Sequence, residues 1–90
     1  MKLINLFEET QYKIKYYNKD GKRHRTDGPT VIWSDGSKEW YINGKLHRTD
    51  GPARIWANGI KEWWINNTYY GDGDKPPQEW LDAGGKYETD

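Results

Sequence analysis

Two histidines, two arginines and two aspartates stand in one hexapeptide written twice, as His24-Arg25-Thr26-Asp27-Gly28-Pro29 and again as His47-Arg48-Thr49-Asp50-Gly51-Pro52. Imidazole with carboxylate is a donor set for zinc or for proton transfer. Ligands of one ion must converge, however. Corners of neighbouring hairpins stand two strand spacings apart, about 10 Å. The pattern therefore predicts neither a metal site nor a cofactor.

Other candidate chemistry is equally thin. Asp72 and Asp74 have the first spacing of a calcium loop, but Ala83 falls where the bidentate Glu belongs. Glu39 and Glu62 could pair for glycoside hydrolysis, yet they are repeat equivalents. The expectation is that they make solvated cross-strand pairs. Ser34 and Ser37 flank a turn with no nearby histidine, so neither reads as a nucleophile. Phosphate-loop and dinucleotide fingerprints are missing from the sequence. The chain is expected not to be an enzyme.

The hexapeptide has a structural reading instead. Asp27 and Asp50 can accept bonds from backbone N–H groups or from the preceding arginine, and Gly28 and Gly51 before proline set a turn. This makes the block a corner between repeats, with a ligand-contacting loop as the alternative.

The elements that must position these corners follow from the repeat. Residues 21–43 laid over 44–66 agree at 16 of 23 positions without a gap. A tandem unit of this length buries its apolar face against its neighbour. Asp35-Gly36 and Asn58-Gly59 read as two-residue hairpin turns. Further reversals are expected at Asp20-Gly21, Asn43-Gly44 and Asn66-Asn67. Between them lie short β-branched and aromatic segments at 12–17, 30–34, 37–42, 53–57, 60–65 and 68–70. The fold class is all-β, an antiparallel meander of repeated β-hairpins with a short C-terminal helix. A two-residue turn at Asp35-Gly36 sets Trp33 opposite Lys38 and Val31 opposite Trp40. One face then collects Trp33, Trp40, Trp56 and Trp63 and is expected to be the buried one. Tyr41 and Trp64 fall on the other.

The 90 residues make a single domain in this reading. Residues 1–11 form an N-terminal cap with Leu3, Ile4, Leu6 and Phe7, and 12–70 form the repeat sheet. Residues 71–90 form an acidic segment with a helix near 76–83, docked by Trp80 and Leu81. There is no cysteine, which suits a reducing compartment. No run is apolar enough for a membrane span or a secretion signal, so the expected location is cytoplasmic. Net charge is zero, running from +3 over residues 1–30 to −4 over 67–90. This balance disfavours non-specific nucleic-acid binding, although Lys13, Lys15, Lys22, Arg23 and Arg25 make a modest basic stretch.

The segment Trp40-Tyr41-Ile42-Asn43-Gly44-Lys45-Leu46-His47, followed by Asp50-Gly51-Pro52 and Asn58-Gly59, resembles MORN-type repeats in period, in its Asn-Gly-Lys-x-His run and in its Asp-Gly turn. The His-Arg-x-Asp-Gly-Pro form is similar to small proteins of bacteriophages and large DNA viruses, and to bacterial sequences described as antitoxin-like. The resemblance spans residues 12–70. It implies an elongated sheet of hairpins used as an adaptor or binding surface, in some MORN proteins with phospholipid binding or dimer formation. Arg25 and Arg48 replace the usual repeat glycine.

The expected function is a protein-binding module, a phage-type protein that binds and inhibits a host defence or toxin protein in the host cytoplasm. Alternatives are an antitoxin-like or self-associating homodimeric scaffold, and a phospholipid or single-stranded nucleic-acid binder. Arg25, Arg48, Tyr41 and Trp64 are the candidate partner-binding residues, with Glu79, Trp80 and Asp82 on the helix as a second surface.

Overall fold

A computed structural model describes residues 12–87. The cap proposed for residues 1–11 lies outside them. Among the described residues eight strands and one helix follow in order: β1 (Ile14–Lys15), β2 (Val31–Ile32), β3 (Lys38–Glu39), β4 (Tyr41–Ile42), β5 (Lys45–Leu46), β6 (Arg54–Ile55), β7 (Lys61–Ile65), β8 (Thr68–Asp72) and α1 (Gln78–Asp82). Six strands form one antiparallel sheet in the order β1-β2-β3-β6-β7-β8, and β4-β5 make a separate hairpin between β3 and β6. The all-β meander with a short C-terminal helix is therefore the architecture. No described helix is long and apolar enough to cross a membrane.

The register differs from the expected one by a single residue. Ile32 pairs with Lys38 and Val31 with Glu39, and Trp33 N–H donates to Ser37 O at 2.9 Å. The turn therefore holds three residues, Ser34, Asp35 and Gly36. The next hairpin repeats this, with Ile55 opposite Lys61 and Arg54 opposite Glu62. The cause is local. Gly36 and Gly59 take φ of 98° and 93°, while Asp35 and Asn58 accept bonds from the N–H of Ser37 and Ile60. A turn closed by such a glycine and pinned by an Asx side chain is the three-residue hairpin. The two-residue turns are at Asn43-Gly44 and Asn66-Asn67, where both residues have positive φ and Ile42–Lys45 and Ile65–Thr68 pair across.

One residue of slip exchanges the faces of a strand, and this overturns the four-tryptophan face. Trp63 is wholly buried, Trp33 and Trp40 are half-buried, and Trp56 is 41% exposed. Arg54 lies opposite Glu39 on one side and Glu62 on the other. The core is small. Trp63, Ile65 and Trp80 cluster with Tyr70 and Leu81 against them, and Val31 and Ala53 are buried along the sheet. The Trp63 and Trp80 rings meet edge to face at 4.8 Å, a geometry favoured by the ring quadrupoles.

Candidate functional site: the groove between the two corners

The two hexapeptides fold alike. Arg25 Nε donates to Asp27 Oδ1 at 2.8 Å and its Nη1 to Pro29 O at 3.0 Å. Arg48 does the same to Asp50 and Pro52 at the same distances. Each guanidinium crosses its own glycine so closely that a Cβ on Gly28 would lie 2.9 Å from Arg25 Cζ, and one on Gly51 2.6 Å from Arg48 Cζ. The arginine thus needs glycine three residues later. Each histidine closes the next turn: Asn43 N–H donates to His24 Nδ1 and Asn66 N–H to His47 Nδ1, both at 3.1 Å. Nδ1 must therefore be the unprotonated nitrogen.

The clamped arginines also lie over aromatic rings, Arg25 on Tyr16 at 4.3 Å and Arg48 on Trp40 at 4.0 Å. The cation thus covers an indole that would otherwise face water. Arg25 and Arg48 keep about a quarter of their side-chain surface, whereas Asp27 and Asp50 are 82% and 81% exposed. Arg25 holds the Asp27 carboxyl below the usual aspartate range, first by its hydrogen bond and then by its charge.

Between the corners opens a groove of about 690 Å³. Residues 25–29 make one wall, Arg48, Thr49 and Asp50 the other, and Trp40, Ile42 and His47 also line it. It falls within the size range of ligand sites.

A second cluster involves the opposite side of the pleat. Arg54 bridges two carboxylates, with Nε on Glu39 Oε2 at 2.9 Å and Nη1 on Glu62 Oε1 at 3.1 Å. Tyr41 O–H donates to Glu39 and Arg23 Nη1 to the Tyr41 oxygen. Trp56 Nε1 and Trp64 Nε1 both donate to Glu62. Burial would lower the Arg54 pKa, but the charges of Glu39 and then Glu62 outweigh it and hold the group above its ordinary value. Glu39, expected to be solvated, is 5% exposed. This ladder uses its charges on itself, which is how buried ions are tolerated.

The candidate residues are therefore not one surface. Arg25 and Arg48 belong to the groove, while Tyr41 and Trp64 belong to the ladder. Trp80 is fully buried and holds the helix down, so it is no contact residue, although Glu79 and Asp82 beside it stay exposed. Arg54 was not singled out from sequence. A three-residue turn would have placed it opposite Glu62. Ile42 and Thr26 were also missed as groove residues. Among the described residues no group of three or more histidines and acids is placed to hold a metal ion.

No family model matches the chain, and neither a curated protein nor a solved structure is detectably similar to it.

Proposed function

We propose that the protein is a protein-binding module that engages its partner through the groove between the corners. The observation that carries this is the groove itself: about 690 Å³, walled by two corners whose side chains are already fixed by internal bonds. A preformed site loses little side-chain entropy on binding. Half-buried Trp40 and Ile42 supply apolar area, and exposed Asp27 and Asp50 supply a charged rim, the usual division of an interface. The similarity of the hexapeptide to small viral proteins supports a host protein as partner and inhibition as the outcome. The MORN-like reading is supported by the tandem hairpins.

Photo-crosslinking in a host lysate tests this. A benzophenone side chain at Ile42 or Thr26 should give one discrete adduct that the same group at Lys19, on an exposed turn, does not. Equal labelling from all three positions would reject the groove.

A second reading, self-association, has one observation behind it. β8 is a five-residue strand at the edge of the sheet, with Thr68 and Tyr69 exposed. Open edges invite pairing with another copy. A 10.7 kDa species at high concentration in sedimentation equilibrium would remove it.

A further inference from the structure

The groove has a counterpart one repeat along, and the chain fills it with its own C-terminal segment. Trp63 and Thr49 occupy there the repeat positions that Trp40 and Thr26 occupy in the open groove. Lys86 N–H donates to Thr49 O at 2.7 Å, and the Tyr87 ring meets Trp63 edge to face at 5.2 Å. Gly85 passes so close over Trp80 that a Cβ would lie 2.3 Å from that ring. Covering changes the corner beneath: Gly51 and Pro52 are buried, whereas Gly28 and Pro29 are only half-buried. Among the described residues no backbone N–H reaches Thr26 O.

We infer that the open groove takes an extended peptide segment of the partner, with a backbone N–H donated to Thr26 O and the following aromatic side chain set edge-on against Trp40. The chemistry is that of Gly85-Lys86-Tyr87, a small residue, a donor, then an aromatic ring. The inference rests on the groove being the binding site. It goes further by naming the ligand from an interface the molecule already makes and that the repeat continues into the open position. Arg48 covers one face of Trp40, so the incoming aromatic meets the indole on the side the guanidinium leaves open, in the edge-to-face manner of Tyr87 on Trp63. The acidic rim of Asp27 and Asp50 suits a lysine beside it.

The probe is a synthetic peptide with the sequence of residues 83–90, added to the full 90-residue chain and followed by backbone and indole NMR. Saturable shifts at Thr26, Ile42 and the Trp40 indole are expected. A peptide with alanine in place of its tyrosine should bind about tenfold more weakly. Ile42→Glu should abolish the shifts while its Trp63 and Trp80 resonances stay in place, which shows the fold intact. Shifts at Thr49 and Trp63 alone would mean displacement of the chain's own segment and would overturn the proposal, as would no saturable shift. Dimerisation by exchange of this segment, seen as a doubled mass without shifts at Thr26, would overturn it too. If the peptide fails while the Ile42 and Thr26 crosslinks stay position-specific, the groove stands and only the aromatic-segment chemistry falls.

Discussion

The two repeats share 16 of 23 residues and make the same corner with the same bond lengths, yet one is an interior unit and the other an end. Residues that differ carry that distinction. In the first repeat Thr30 is buried, and its hydroxyl donates to Tyr41 O and accepts from Tyr41 N–H. That hydroxyl takes the bond a neighbouring strand would need, so the chain parts into β3 and β4 at Trp40. In the second repeat Ala53 has no hydroxyl, and β7 continues as one strand from Lys61 to Ile65 with β8 beside it, the register slipping only at Trp63/Trp64. Val31 becomes Arg54, which reaches back to Glu39 of the first unit. Arg23 becomes Leu46, which is buried. Ser37, whose Oγ accepts Ala57 N–H, becomes exposed Ile60. Identical residues build the unit, and the substitutions tell each unit what lies beside it.

The covers of the central tryptophans give the largest test of this difference. Trp40 is shielded by Arg48 from the next corner, whereas Trp63, followed in residues 64–90 by no third copy of the hexapeptide, is sealed by Trp80 and Tyr87. Trp63→Ala should cost about 3–5 kcal/mol and Trp40→Ala about half of that, since only the first empties a closed site. Urea denaturation followed by far-ultraviolet circular dichroism measures both. Equal losses would mean that the end is no drier than the interior.

Next comes the bridge between the units. Arg54→Met leaves Glu39, nearly buried, facing Glu62 with only Arg23 at 3.8 Å as a cation, and should cost about 2–3 kcal/mol. Adding Glu39→Gln should recover part of that loss. Strict additivity of the two substitutions would show that the ladder does not couple the repeats.

The corners themselves should respond alike but unequally. Gly51→Ala places a methyl against the Arg48 guanidinium and must expel it from its bonds to Asp50 and Pro52, at about 1–2 kcal/mol. Gly28→Ala, with 2.9 Å rather than 2.6 Å to the arginine and a less buried corner, should cost less. Thermal unfolding of the two variants ranks them, and the reverse order would break the comparison.

How much of this was legible follows from where the information sits. The period, the strands and the corner with its Asp-Arg bond are written in local residue types, so the sheet could be read from them. The turn length was not, because Asp-Gly and Asn-Gly serve two-residue and three-residue turns equally well. The choice depends on whether the Asx side chain caps the residue after the glycine. That single ambiguity split the four tryptophans between faces and left Arg54 beside Glu39 and Glu62 unforeseen. Burial of Trp80 was legible as docking but competed with its use as a surface anchor. The groove was not legible, since it exists only where two corners stand side by side and none of the described residues fills the gap.

The smallest expected effect lies at the very end of the array, where Tyr69 occupies the repeat position of Leu46. Its hydroxyl donates to Asp72 Oδ1. That hydrogen bond is the main reason its pKa is pushed up to about 12, with desolvation and the Asp72 charge adding to it. The direction fixes the pH dependence. A folded pKa above the unfolded value near 10 gives stability that is fully present below about pH 10 and is lost as pH rises through 12. Tyrosinate absorbance at 295 nm should therefore show Tyr69 ionising late, and Tyr69→Phe should remove that late step and lower the neutral-pH midpoint of unfolding only slightly, because solvent screens the exposed pair. Leu46, buried at the matching place in the interior, has no such titration. A late step that survives Tyr69→Phe would place the perturbed phenol elsewhere.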